Sequence, residues 1–270
     1  MRFNISLFTL FTVLLMSCSQ FDKIQRSDNL DEKLDAAYAY YDKAEYHKAS
    51  LLFEDLVPLL KGRSESETAL LYQAKCHFNQ KQYIMSAYYL KDFIDTYPRS
   101  EHIEEVRFLY AKSLFNDSPD YNLDQTNSTS ALKAIQTFAN RHPDSEHMEE
   151  INSMADALNA KLEHKAYENA KIFYNLGGYN NINYKSAIVS FDSFLESYPD
   201  SEFSEEITYL KIDAQYNLAK SSVVNKQKER YHSAIEYYQD FIDKYPESKY
   251  RKAAETIYES CISRLEKDNL

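Results

Sequence analysis

The chain has no tryptophan, three glycines and three cysteines among 270 residues. Without glycine, hairpin turns and phosphate-cradling loops have almost nothing to be built from. Six prolines leave long uninterrupted stretches open to helix. Positive charge is scarce as well: 31 Lys and Arg face 42 Asp and Glu, for a net charge of −11. That balance excludes nucleic-acid binding through a basic face and a polybasic hold on a membrane surface. Hydrophobic residues make up 44% and charged residues 27%, enough to bury a core and too apolar for a disordered chain. Tyrosine is abundant, with 24 copies. Its flat body and polar tip suit helix packing and amphipathic grooves.

The N-terminus carries Arg2, then the apolar stretch from Ile5 to Met16. Twelve helical residues reach ~18 Å, too short for a ~30 Å hydrocarbon core, so the segment reads as a secretory leader. It ends Leu15-Met16-Ser17-Cys18, which resembles the bacterial lipobox, in which a small residue precedes a cysteine that is lipidated before cleavage. The expected organisation is a signal peptide over 1–17, a tether over 18–30 that starts at lipidated Cys18, and a repeat domain over 31–270. Cys76 and Cys261 form no C-x-x-C pair and are expected as buried, unpaired thiols.

Four prolines stand in near-copies of one phrase: Tyr97-Pro98-Arg99-Ser100, His142-Pro143-Asp144-Ser145, Tyr198-Pro199-Asp200-Ser201 and Tyr245-Pro246-Glu247-Ser248. Five residues before each proline stands Phe93, Phe138, Phe194 or Phe241. Twelve before stands Ser86, Ala131, Ala187 or Ala234, and fifteen before stands Tyr83, Ser128, Tyr184 or Tyr231. At ~100° per residue these positions share one helix face. Proline ends the helix, and the serine is expected to cap the next one. A fifth copy, Tyr46, Ala49, Phe53 and Leu56, closes through Gly62, where Ser64 and Glu67 offer a capping box. Repeat starts differ by 37, 45, 56 and 47 residues, and the shortest approaches the ~34-residue tetratricopeptide unit. The longer repeats carry a polar loop over 116–129, one long helix over 146–176 and a polar connection over 221–228.

The predicted fold is therefore all-α, a tetratricopeptide-like right-handed α-solenoid of about five helix pairs. Its repeats run roughly over 31–62, 63–99, 100–144, 145–200 and 201–247, with a capping helix over 248–267. Eleven helices and no strand are expected.

No histidine belongs to an H-E-x-x-H motif, there is no G-x-S-x-G, and no Rossmann or P-loop glycine set exists. Neither a catalytic residue nor a metal or cofactor is indicated, and the chain is not read as an enzyme. The carboxylate pairs Glu104-Glu105, Glu149-Glu150 and Glu205-Glu206 fall at helix starts, where the helix dipole favours them.

Leader, lipobox and repeats together resemble the BamD (ComL-type) family of outer membrane assembly lipoproteins. The resemblance is strongest at Tyr121 to Thr126, which contains Asp124-Gln125-Thr126, and at Leu162 to Tyr174. It implies a scaffold anchored at the periplasmic face of the outer membrane by lipid alone. The implied partners are a BamA-like barrel-inserting subunit, bound through the C-terminal half, other assembly-machinery subunits, and unfolded outer membrane proteins. Ser19 after the cysteine is compatible with sorting to that membrane. Tyr38, Tyr41 and Tyr72 are the candidate aromatics of a peptide groove. A general tetratricopeptide adaptor lipoprotein for other envelope complexes shares the same anchor and fold. A glycan-binding lipoprotein would want tryptophan to stack on sugars.

Substituting Cys18→Ser should abolish metabolic labelling with a fatty acid; label retained by the variant would place the acyl group elsewhere.

Overall fold

A computed structural model of the chain describes residues 20–267; the leader and Cys18 lie outside them. Every regular element among the described residues is a helix. A short helix, α1, covers residues 20–25 of the segment expected as a tether. There follow α2 (Leu30–Asp42), α3 (Tyr46–Leu59), α4 (Ser66–Asn79), α5 (Tyr83–Thr96), α6 (Ile103–Asn116) and α7 (Thr126–Arg141). The longest is α8 (Met148–Asn175), 28 residues. The rest are α9 (Ile182–Ser197), α10 (Ser204–Lys220), α11 (Val224–Lys244) and α12 (Arg251–Lys267). This is the all-α, tetratricopeptide-like repeat architecture that the sequence implies. Two expected loops are shorter than their polar composition suggests. Helix α7 starts at Thr126 and α11 at Val224, inside the spans expected as loops.

The proline phrase works alike in all four copies. The residue before proline leaves the helical region, with φ −123° and ψ 57° at Tyr97 and φ −135° and ψ 66° at Tyr198. Its N–H still closes the helix on the carbonyl of the phenylalanine, 2.8 Å for Tyr97 to Phe93 and for Tyr245 to Phe241. The serine Oγ then accepts the N–H two residues on, at 2.9 Å from His102 and 3.0 Å from Phe203. Its carbonyl accepts the N–H three residues on, which makes a tight first turn ahead of the regular helix. The expected capping box at Ser64 is not formed. Ser64 Oγ bonds Glu65 at 3.0 Å, while Glu67 is drawn away to Ser100 of the next turn.

The chain divides inside α8 into two compact units, residues 1–158 and 159–270. In the first, one core joins Phe21, Leu34 and Ala37 to Ala49, Phe53 and Leu56 of α3. A second joins Leu70 and Leu71 of α4 to Leu90, Phe93 and Val106. A third joins Phe108 and Phe138 to Ile151, Met154 and Leu158 of α8. In the second unit, Tyr167, Phe191 and Phe194 pack with Ile207 and Leu210, and Ile212, Tyr231 and Phe241 pack with Ile257 and Cys261. Each core thus joins a helix pair to the first helix after it, and α12 plays that part for α10 and α11.

The predicted stripe is the buried face. Phe93, Phe138 and Phe241 are fully buried, as are Ser86, Ala131 and Ala187. Ser128 breaks the tyrosine column for a local reason. It donates to Gln125 Oε1 at 2.7 Å, and the Gln125 amide reaches the carbonyls of Asp120 and Leu123 at 2.7 and 3.1 Å. Gln125 of the Asp124-Gln125-Thr126 element therefore staples the polar loop to α7 through Ser128, which stands at the tyrosine position of the other repeats. At the turn after α8, a Cβ on Gly177 would lie 2.2 Å from the Tyr184 ring, so only glycine fits. Cys76 and Cys261 are free and buried, and burial pushes both thiols up to about 12.

Phe194→Ala, which empties a site between Tyr167 and Tyr198, should cost ~3–5 kcal/mol in urea denaturation.

Candidate functional site

Tyr38 and Tyr41 lie one turn apart on α2, and Tyr72 comes from α4. The three rings interlock edge to face, with centroids 4.8 Å apart for Tyr38 and Tyr72 and 4.7 Å for Tyr41 and Tyr72. Beneath them Phe53 of α3, fully buried, meets Tyr38 at 5.3 Å. Asn79 Nδ2 donates to the Tyr41 hydroxyl at 3.3 Å, and Lys75 Nζ stands 5.5 Å over the Tyr72 ring. All three tyrosines are half-buried. Tyr40, one residue from Tyr41, turns away onto Phe21 at 5.6 Å and lies under Lys48.

Burial pushes the Tyr38 and Tyr41 phenols up to about 12, helped at Tyr38 by Tyr72 and Glu65 and opposed at Tyr41 by the Asn79 bond. They are neutral at physiological pH. The triad presents packed ring edges and uncharged hydroxyls. That chemistry holds an apolar segment and its backbone; it does not attack a substrate.

The carboxylate pairs do more than complement helix dipoles. The second glutamate of each pair reaches a lysine on the first helix of the preceding repeat: Lys75 to Glu105 at 2.6 Å, Lys112 to Glu150 at 2.8 Å, and Lys171 to Glu206 at 3.0 Å. Two of the first glutamates, Glu104 and Glu205, turn to the phrase that closes their own repeat, and the single Glu67 does the same. Glu67 bonds Ser100, Glu104 lies 3.6 Å from His142, and Glu205 bonds Ser248. Sequence reasoning missed these partners. The signal was present, since each pair recurs at a fixed place after the proline, but the lysines sit at separations that only packing makes near.

Around Glu206 the clasp becomes a network. Tyr167 and Tyr250 hydroxyls donate to it at 2.9 and 3.1 Å, and Lys171 Nζ lies 2.6 Å from the Tyr167 hydroxyl and 4.4 Å over its ring. Burial alone would raise the Glu206 carboxyl, but Lys171, Tyr167 and Tyr250 together hold it below the usual carboxylate range. Burial likewise opposes the Lys171 ammonium, and its bonds to Tyr167 and Glu206 raise it nonetheless.

Repeated helix pairs and the cores they share define a helical-repeat protein of the tetratricopeptide-like class. The sequence matches the YfiO family of outer membrane lipoproteins over residues 60–181 and 165–267, and the chain belongs to that family. It is 24% identical over 198 residues to a protein of Aquifex aeolicus (strain VF5) assigned as the outer membrane protein assembly factor BamD. The match covers 72% of this chain and 62% of that relative. No helix among the described residues is long and apolar enough to cross a membrane.

Because the Glu206 value is lowered, its contribution is complete above ~4.3 and disappears as pH falls through the lowered value; the raised Lys171 contributes below ~10.4 and is lost as pH climbs past its own. Glu206→Gln should therefore destabilise by ~1–2 kcal/mol at neutral pH, and denaturation curves of parent and variant should converge only once pH has fallen below the lowered Glu206 value.

Proposed function

We propose that this protein is a lipid-anchored, non-catalytic scaffold of the machinery that assembles β-barrel proteins into the outer membrane, held at its periplasmic face through Cys18. Membership of an outer membrane lipoprotein family and similarity to an assembly factor support this reading. The observation that carries its client-binding part is the half-buried tyrosine triad of Tyr38, Tyr41 and Tyr72. An extended apolar segment of an unfolded barrel protein packs on those ring edges, and the hydroxyls serve its backbone.

The second unit takes the barrel-inserting subunit. It exposes large apolar side chains along the end of α8 and the start of α9, with Phe173 41% exposed, Ile172 49%, Ile182 61% and Val189 63%. Phe173 and Val189 face one open groove whose floor is small, with Ala166, Ala170, Ser190 and Ser193. Exposed apolar surface of this kind suits a protein interface.

Separable defects are expected. Tyr41→Ala with Tyr72→Ala should weaken crosslinking of peptides copied from barrel-protein C-termini about tenfold, whereas the Phe pair at the same positions, which keeps the rings and loses only the hydroxyls, should weaken it less. Phe173→Glu with Val189→Glu should abolish co-purification of the barrel-inserting subunit and spare the peptide. A deletion from Glu202 onward is a poorer tool, because it strips Ile207 and Leu210 from the core around Phe191 and Phe194. If the Ala pair crosslinks peptide as well as the parent does, the groove assignment is wrong. Normal co-purification of the Glu pair would reject the division of labour.

A further inference from the structure

Charge is distributed unevenly over this acidic chain. A cavity of about 370 Å³ opens between α5, α6 and α7, and four cations converge on it: Lys91, Arg107, Lys133 and Arg141. No carboxylate lines it. Its walls are otherwise apolar or aromatic, with Ile94, Tyr110, Ala134 and Phe138.

The cations differ in how they are balanced. Lys91 is neutralised by Asp95 on its own helix, at 2.6 Å. Arg107 Nη1 has only a ring nitrogen to donate to, His142 Nε2 at 3.4 Å. Lys133 and Arg141 have no side-chain hydrogen bond or ion pair among the described residues. Arg107 is held below its ordinary value by burial and then by the charge of Arg141. Burial also lowers His142, with Arg107 and Arg141 adding to the effect and Glu104 opposing it. Two guanidinium groups thus face the same space, with no carboxylate in its lining.

A chain with 42 acidic residues could have supplied a carboxylate here, and elsewhere does so regularly, as for Lys75, Lys112 and Lys171. Here the acids stand to one side. A second cavity shares Lys91 and Tyr110 with the first and is lined by Asp92, Asp95 and the exposed Ile84 and Tyr88, 66% and 65% accessible. The two form one path with a cationic end and an apolar, acid-edged end.

We propose that this path binds an extended segment of a partner polypeptide, seating an acidic side chain between Arg107, Lys133 and Arg141 and the neighbouring apolar side chains against Ile94, Tyr110 and Tyr88. Guanidinium forks match a carboxylate, and the apolar walls reward a carboxylate carried beside hydrocarbon over a free inorganic ion. The acids at the far end fix the direction in which such a segment lies. The site is separate from the tyrosine triad on α2 and α4 and stands without it.

The test uses the full mature chain in detergent and two labelled, amidated peptides, one with a single glutamate between leucine and phenylalanine and the other with glutamine in its place. Fluorescence anisotropy should show the glutamate peptide binding about tenfold tighter at fixed ionic strength. Arg107→Gln with Arg141→Gln should erase that preference. The same pair should leave the melting temperature unchanged or raised, since two like charges lose their repulsion. Lys133→Gln, on the exposed side of α7, should reduce the preference severalfold without touching the core. Equal binding of the two peptides, or a preference that survives both variants, overturns the proposal. Displacement of the peptide by inorganic phosphate at the same ionic strength would mark a simple anion site and overturn the polypeptide assignment.

Discussion

No helix pair of this protein covers its own apolar face. Phe53 and Leu56 need α4, Phe93 needs α6, and Phe138 needs α8. In the second unit Phe191 and Phe194 need α10, while Phe241 needs α12. Burial of each stripe is the dominant favourable term and is realised only when the next helix arrives. The rest follows from that dependence. The turn between repeats has to aim the following helix onto the stripe, which gives the proline phrase its uniform geometry. Helix α12 packs its apolar face on α10 and α11 and leaves its other side polar.

Polar contacts set the register that burial leaves loose. Apolar packing is non-directional, so neighbouring helices could slide by a turn at modest cost. The paired glutamates oppose such sliding. At Glu104-Glu105 and Glu205-Glu206 one partner holds the closing turn of its own repeat and the other a lysine of the preceding repeat, so a shift breaks both at once. Most of these pairs are partly solvent-exposed and individually weak. The Glu206 network differs because two tyrosine hydroxyls and Lys171 converge on one carboxylate.

With helices spent on packing and clasping, function falls to the surfaces that remain. The surfaces proposed for partners are ring edges at Tyr38, Tyr41 and Tyr72 that pack only partly into the first core, hydrocarbon at Phe173 and Val189, and guanidinium groups at Arg107 and Arg141 with no carboxylate in the cavity they line. Each suits a different kind of polypeptide contact, and none provides a nucleophile or an acid–base pair.

What the sequence determined by itself was the helix grammar. Phenylalanine, small residue and aromatic recur at helical spacing before a proline, and local sterics turn that phrase into a stop and a restart wherever it occurs. Hence the all-α class, the helix pairs and the long α8 were legible, and so was the odd Asp124-Gln125-Thr126 loop. Tertiary structure alone decided which partners lie across a repeat. Nothing in the spacing of Lys112 and Glu150, or of Arg107 and Arg141, announces that they face each other. Adjacent residues were sorted the same way: Tyr41 joins the triad and Tyr40 turns to Phe21, because one residue along a helix is a rotation of ~100° and each side of α2 meets a different neighbour. Local geometry acts through the chain, whereas charge and contact act through space, and only packing converts one into the other.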